Sequence, residues 1–261
     1  MAVPNDAREG WIDHAEPSRV RRVRDALETA GVTVRDLRID PDAYRAYVRE
    51  AGYAPTMYTG NFAEKTLEHF LSLTLLDPSP GETWVDIANA NGPTPEVVRR
   101  IRGVRAWRQD LIYPPGVHGD RIGGDAGAMP VPDGFADAMS LHCSFEHFEG
   151  DADSRFARSL DRVLSPRGRV CIAPLYLSDE HATLSDPAAW WPAPPPFDAD
   201  ATVYLARGYN NRHGRLYAPT RLVERVVRPL EPLRLTVFHV TNAADVDPSC
   251  YVRFVGLIAR A

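Results

Sequence analysis

The stretch Thr83-Trp84-Val85-Asp86-Ile87-Ala88-Asn89-Ala90-Asn91-Gly92, continuing into Pro93-Thr94-Pro95-Glu96, decides the architecture. Thr83–Ala88 is a short apolar run, and a run of that length bounded by turn-forming residues suits a strand buried on both faces. The loop that follows is too rich in Asn and Gly to continue it. Thr94, Pro95 and Glu96 then open a helix, with a hydroxyl to cap it, proline at the first position and a carboxylate in the first turn.

Working outward, the same texture recurs downstream. A helix is expected over Glu96–Arg102, a strand over Val104–Trp107, another over Ala136–Leu141, a helix over Ser154–Val163 and a strand over Arg169–Leu175. Strand–helix–strand alternation implies a parallel sheet with right-handed crossovers. A helix at Thr220–Val227 and two closing strands at Leu233–Thr241 and Cys250–Ala259 complete the pattern.

Upstream the periodicity predicts helices. One is capped by Ser18, runs through Val20, Val23 and Leu27, and ends at Gly31. A second spans Pro41–Glu50 with Tyr44, Tyr47 and Val48 on one face. The strongest spans Asn61–Leu76, where Phe62, Leu67, Phe70, Leu71, Thr74 and Leu75 recur at helical spacing before a Pro/Gly break at 77–81.

The expected organisation is a helical accessory segment over residues 1–60 and an α/β domain over 61–261, with a Pro/aromatic-rich insertion at about 178–215. Within the insertion, Trp190-Trp191-Pro192-Ala193-Pro194-Pro195-Pro196-Phe197 excludes regular helix and central strand. It reads as a loop packed by its Trp residues, with a lid or partner surface as the alternative. No internal repeat is present.

Residues 84–92 resemble the first motif of the class I S-adenosylmethionine (SAM)-dependent methyltransferases of the type 11-like group: an acid followed by alternating glycines, which let the backbone approach the methionine part of SAM. The resemblance departs where Ala88 and Ala90 replace two glycines, leaving Gly92. Val104-Arg105-Ala106-Trp107-Arg108-Gln109-Asp110 is similar to the second strand, whose terminal acid holds the ribose in the family, and Gln109 can share that task. Gly124-Asp125-Ala126-Gly127-Ala128-Met129-Pro130-Val131-Pro132-Asp133-Gly134-Phe135-Ala136-Asp137 resembles the family's Asp-Ala adenine motif and the Asp that opens the fourth strand. The stretches 139–148 and 158–170 are similar to the end of that strand and to the following helix, Pro-Arg-Gly turn and fifth strand.

Together these cover about residues 62–175. The resemblance implies a Rossmann-like fold with a mostly parallel seven-stranded sheet, helices on both faces and an antiparallel C-terminal strand. It implies SAM as cofactor, held by Asp86, Ala88, Asn89, Asn91, Gly92, Asp110, Asp125, Ala126 and His142.

His142, Glu146 and His147 form the densest cluster of acid/base groups, and a base near neutral pH suits O- or N-methylation, which releases a proton. His142 and His147 are therefore the catalytic candidates, set against plain packing roles. Their order fits no helical zinc motif, and no metal is expected. Tyr58 is read as a packed tyrosine, with closure over the cofactor as the alternative, and the polar run 208–215 as an ordinary loop that can reach the acceptor.

Two functions follow: SAM-dependent methyl transfer to a small-molecule acceptor, or a methyltransferase-fold protein that has lost the transfer and binds another ligand or partner. A dehydrogenase is disfavoured because the first loop lacks the GxGxxG fingerprint.

Composition bounds the rest. A net charge of −5 argues against a nucleic-acid groove, and no run approaches the ~20 apolar residues of a membrane span. Lys65 is the only lysine. The basic run Arg19, Arg21, Arg22 and Arg24 reads as a solvated helix face. Cys143, Cys171 and Cys250 read as free buried thiols. The first twenty residues lack a secretory signal, so a cytoplasmic protein is expected, with a homodimer left open.

Overall fold

Along Thr83–Ile87, Val85 and Ile87 enter one apolar cluster and Trp84 the other, so this strand is covered on both sides as its unbroken apolar run requires. The computed structural model describes residues 6–54 and 56–260.

In chain order the first elements are β1 (Arg8–Glu9), α1 (Pro17–Thr29), β2 (Thr33–Leu37), α2 (Pro41–Ala51) and α3 (Phe62–Leu76). Then come β3 (Thr83–Ile87), α4 (Thr94–Arg102), β4 (Arg105–Asp110), β5 (Gly116–His118), β6 (Arg121–Gly123), β7 (Ala136–His142), α5 (Ala152–Val163) and β8 (Leu164–Ala173). The chain closes with β9 (Ala182–Ser185), β10 (Thr202–Leu205), β11 (Gly214–Leu216), α6 (Pro219–Leu222), β12 (Leu233–Val240) and β13 (Phe254–Arg260).

The main sheet has nine strands in the order β2-β12-β13-β8-β7-β3-β4-β6-β5. From β8 to β6 all neighbours are parallel, and β13 runs antiparallel between β8 and β12. The expected seven strands are present, and β2 and β5 extend the two edges. Helices α1, α5 and α6 pack on one face through Val23, Leu27, Phe156, Leu160 and Leu222. Helices α2, α3 and α4 cover the other through Tyr44, Tyr47, Leu67, Leu71 and Val97. Each fully buried side chain of this kind contributes about 1.5–3 kcal/mol.

Three local expectations change. The segment 1–60 holds helices α1 and α2 but also β2, which pairs parallel with β12 as the sheet's edge. Between β4 and β6 the chain makes the antiparallel edge strand β5, and Leu111 (76%) and Ile112 (60%) are exposed. Glu16, not Ser18, caps α1, its carboxylate accepting from the Ser18 and Arg19 amides. The basic run is not merely solvated: Arg19 and Arg22 pair with Asp179 and so dock α1 onto the start of the insertion.

The insertion also carries a sheet of its own. Strands β1, β10, β9 and β11 form a second, four-stranded sheet. Its anchor is Arg215, fully buried, which bonds Asp153 at 3.2 Å, Asp198 at 2.9 Å and the Phe148 carbonyl at 2.7 Å. Gly214 precedes it because a Cβ there would overlap the Tyr209 ring. In the Pro/Trp run, Trp190 packs and donates to Ser185 at 2.7 Å, whereas Trp191 is 83% exposed.

Candidate functional site

The carboxyl ends of β3, β4 and β7 meet two adjoining clefts. One, of about 390 Å³, lies between Gln109, Asp110, Asp125, Ala126, His147 and Phe148. The other, of about 200 Å³, lies between Tyr58, Lys65, Asp86, Asn89, Gly92 and His142. Ala88 lines both, so the loop after β3 is the ridge they share.

That loop keeps the backbone of a glycine motif without its glycines. Ala88 (φ 51°), Ala90 (φ 47°) and Asn91 (φ 61°) are all left-handed, a conformation that costs a residue with a Cβ about 1–2 kcal/mol. The surroundings hold it there. Gln109 accepts from the Ala88 amide at 3.3 Å, and Asp110 accepts from the Ala90 amide at 2.7 Å. Asn89 donates to Asp86 at 2.6 Å.

Asp86 is buried and fully engaged. It accepts from Ser140 at 2.6 Å and from His142 Nδ1 at 3.1 Å in addition to Asn89. His142 Nε2 then accepts from Ser72 at 2.8 Å. Both ring nitrogens of His142 are thus engaged within the protein while its ring lines the cleft. His69 lies 4.5 Å from it, ring to ring, and is held neutral because burial drives its pKa well below the usual value.

Asp110 accepts two amides, from Ala90 and Ile112, and a carboxylate has about four acceptor sites. Asp125 accepts from Gly127 at 2.7 Å and from Arg155 at 2.7 Å, with Ala126 buried beside it. Asn91 does not join them: it is exposed, lines neither cleft, and accepts from Tyr113 at 3.2 Å. Thr94 does not cap α4 because its hydroxyl pairs with His69 Nε2 at 3.2 Å.

Helix α3 supplies a group that the sequence reading passed over. Lys65, Glu68, His69 and Ser72 fall at i, i+3, i+4 and i+7, so they form one stripe facing the strand ends. Lys65 and Cys143 both reach buried Glu68, at 3.3 and 3.0 Å, and burial pushes the Glu68 carboxyl up to about 8. The stripe was legible as spacing but was masked by the apolar run beside it.

Beyond Cys143 lies a third cavity, of about 330 Å³, between the main sheet and the small one. Trp11, Tyr176, Tyr209 and Tyr251 wall it, with His14 and Glu146. Cys143 Sγ lies 3.4 Å from the Tyr176 hydroxyl and 3.9 Å from that of Tyr251, so this one side chain stands between the cavity and the cleft at Asp86. Burial raises its pKa well above the usual thiol value. His147 bonds the His213 carbonyl through Nδ1, which leaves Nε2 facing Glu146 Oε1 at 3.6 Å. Among the described residues, no group of three His, Cys, Asp or Glu is placed to hold a metal ion, and no helix is long and apolar enough to cross a membrane.

Fold and clefts together define the class I methyltransferase architecture. Residues 57–172 match the family described as the methyltransferase domain. Among solved structures, the chain is similar to 1,6-didemethyltoxoflavin-N1-methyltransferase of Burkholderia thailandensis, crystallised with 1,6-didemethyltoxoflavin and S-adenosylhomocysteine. The identity is 14%, the match covers 85% of this chain and 90% of that one, and the TM-score is 0.50, which establishes likeness of fold. YcgJ of Bacillus subtilis matches at 19% identity over 47% of this chain and 53% of its own, with a TM-score of 0.37. Phosphoethanolamine N-methyltransferase 2 of Haemonchus contortus, in complex with SAM, matches at 16% identity over 49% of this chain and 35% of its own, with a TM-score of 0.34. No curated protein matches the chain.

Proposed function

We propose that the protein is a SAM-dependent methyltransferase whose acceptor is a small molecule. The observation that carries this is the loop 88–91: three residues with side chains hold the left-handed backbone that glycines would adopt freely. Strain of this kind persists only where the surroundings enforce it, and here Gln109 and Asp110 enforce it. A loop that had drifted from its role would relax to an unstrained path. This favours the active reading over the alternative of a fold that has lost the transfer.

The residues present fit the cofactor. Asp110 keeps acceptor sites for a ribose diol, Asp125 and Ala126 border the space for a base, and Ala88, Asn89, Ala90 and Gly92 line the cleft for the amino-acid end. Bound there, SAM supplies an electrophilic methyl group. The chain's own contribution is alignment and a path for the acceptor's proton. His147 Nε2, next to Glu146 and 32% exposed, carries that proton to solvent.

Calorimetric titration with S-adenosylhomocysteine tests the reading. Micromolar binding that Asp110→Ala weakens supports it, whereas no heat and no thermal shift at millimolar ligand would return the protein to the alternative.

A further inference from the structure

The cavity beyond Cys143 has a composition that selects its occupant. Trp11 meets Tyr209 edge to face at 5.5 Å, and His14 meets Tyr176 at 5.3 Å, so its walls are aromatic rings fixed by one another. Its two charged lining groups differ in kind. Arg215 is already neutralised by Asp153 and Asp198. Glu146 is 5% exposed, and its Oε2 has no hydrogen-bond partner among the described residues. A buried, unpaired carboxylate oxygen is expensive unless a ligand completes it. Among the described residues at the cavity wall, Arg215 is the one arginine or lysine, and its pairing leaves no free cation for an anionic ligand.

Resting on the methyltransferase reading, we propose that the acceptor is an arylalkyl amine, its flat ring between Trp11, Tyr176, Tyr209 and Tyr251 and its side-chain ammonium nitrogen on Glu146. Aromatic faces and one carboxylate are the surroundings that an ammonium group prefers. An acid or phosphate would meet Glu146 as a like charge, and an alcohol would leave the carboxylate without a charged partner.

The chemistry balances around the same pair. The bound ammonium gives one N–H proton to Glu146, which frees the nitrogen lone pair. That lone pair forms the new N–CH₃ bond, and the electrons of the broken S–CH₃ bond remain on sulfur. The proton then leaves Glu146 by His147, 3.6 Å away. Burial raises the Glu146 pKa, which makes it the better proton acceptor. The acceptor is thus methylated on nitrogen.

Three indoles of similar shape test this by equilibrium binding to the full chain, with and without saturating S-adenosylhomocysteine: tryptamine, tryptophol and indole-3-acetate. Tryptamine is expected to bind at least about tenfold more tightly than tryptophol, the worth of one hydrogen bond to a charged group. Indole-3-acetate is expected to bind weakest. Glu146→Gln, which keeps the shape, should erase the amine preference without altering the affinity for S-adenosylhomocysteine. Trp11→Ala, at a half-open position, should weaken all three indoles. Equal binding of the three, preference for the acid, or no retention of tryptamine overturns the proposal, and the wild-type comparison decides it even if a variant misfolds. Failure of S-adenosylhomocysteine to bind instead sinks the cofactor reading, and the indole series without it judges the cavity separately.

Discussion

The wall of the two cofactor clefts and the cavity beneath the small sheet lie side by side, yet they are built in opposite ways. In the first, Asp86, Gln109, Asp110 and Asp125 all have protein partners, and a short run of chain, 86–92, makes the ridge. In the second, the lining comes from residues as far apart as Trp11, Glu146, Tyr209 and Tyr251, and the Glu146 Oε2 has no partner among the described residues. The first site is local and stores its tension in backbone conformation. The second is non-local and stores it in a buried carboxyl group whose Oε2 has no partner among the described residues. A pre-shaped loop suits a ligand of constant form, whereas an open carboxylate waits for the group that completes it.

The sharpest way to break this contrast is to remove the anchor of the small sheet. Arg215→Ala removes the fully buried one of the two guanidinium groups that Asp153 and Asp198 share, leaving them Arg225 alone of that pair. Thermal or denaturant unfolding should show a loss of about 3–5 kcal/mol, the usual cost of breaking a buried ion pair. A loss below 1 kcal/mol would mean that the small sheet is not held as described.

Asp110→Ala acts on the other region and should spare the fold more than binding. Loss of hydrogen bonds to a charged group costs about 1.5–3 kcal/mol, so the affinity for S-adenosylhomocysteine should fall about ten- to a hundredfold by titration.

His213 offers a pH test of the junction. Burial, aided by Arg215, lowers its pKa to about 3 in the folded protein. Because the folded value lies below the unfolded one, the folded state binds fewer protons, and stability is full above about pH 6.5 and falls as the pH drops towards 3. The slope from this one group is at most about 1.4 kcal/mol per pH unit. His213→Asn should flatten the pH dependence of unfolding in that window, and an unchanged slope would assign the effect elsewhere.

The smallest expected effect concerns the strained loop. Ala90→Gly relieves the left-handed penalty but adds freedom to the unfolded chain, for a net gain of about 0.5–1 kcal/mol in stability. A loss of stability on this change would remove the strain argument and weaken the functional reading with it.

The parallel sheet, the helices near 62–76 and 152–163, and the placing of Asp86, Asp110 and Asp125 near strand ends were legible in the sequence, because each depends on neighbours within a few residues. Alternation of apolar side chains determines which strands are buried, and an acid that follows such a run must lie at the sheet's edge. Other features had no such local signature. Strand β2 is exposed and polar, and only its pairing with β12, some two hundred residues on, makes it part of the sheet. The short strands of the insertion are too brief to signal themselves, and Arg215 reads as a loop charge until Asp153 and Asp198 surround it. The capture of both His142 nitrogens and the meeting of Trp11 with Tyr209 likewise arise from contacts between distant segments. Local chemistry determined where a cofactor can lie. Long-range packing alone decided what can lie beside it, because burial and the partner of a charge are properties of the folded chain.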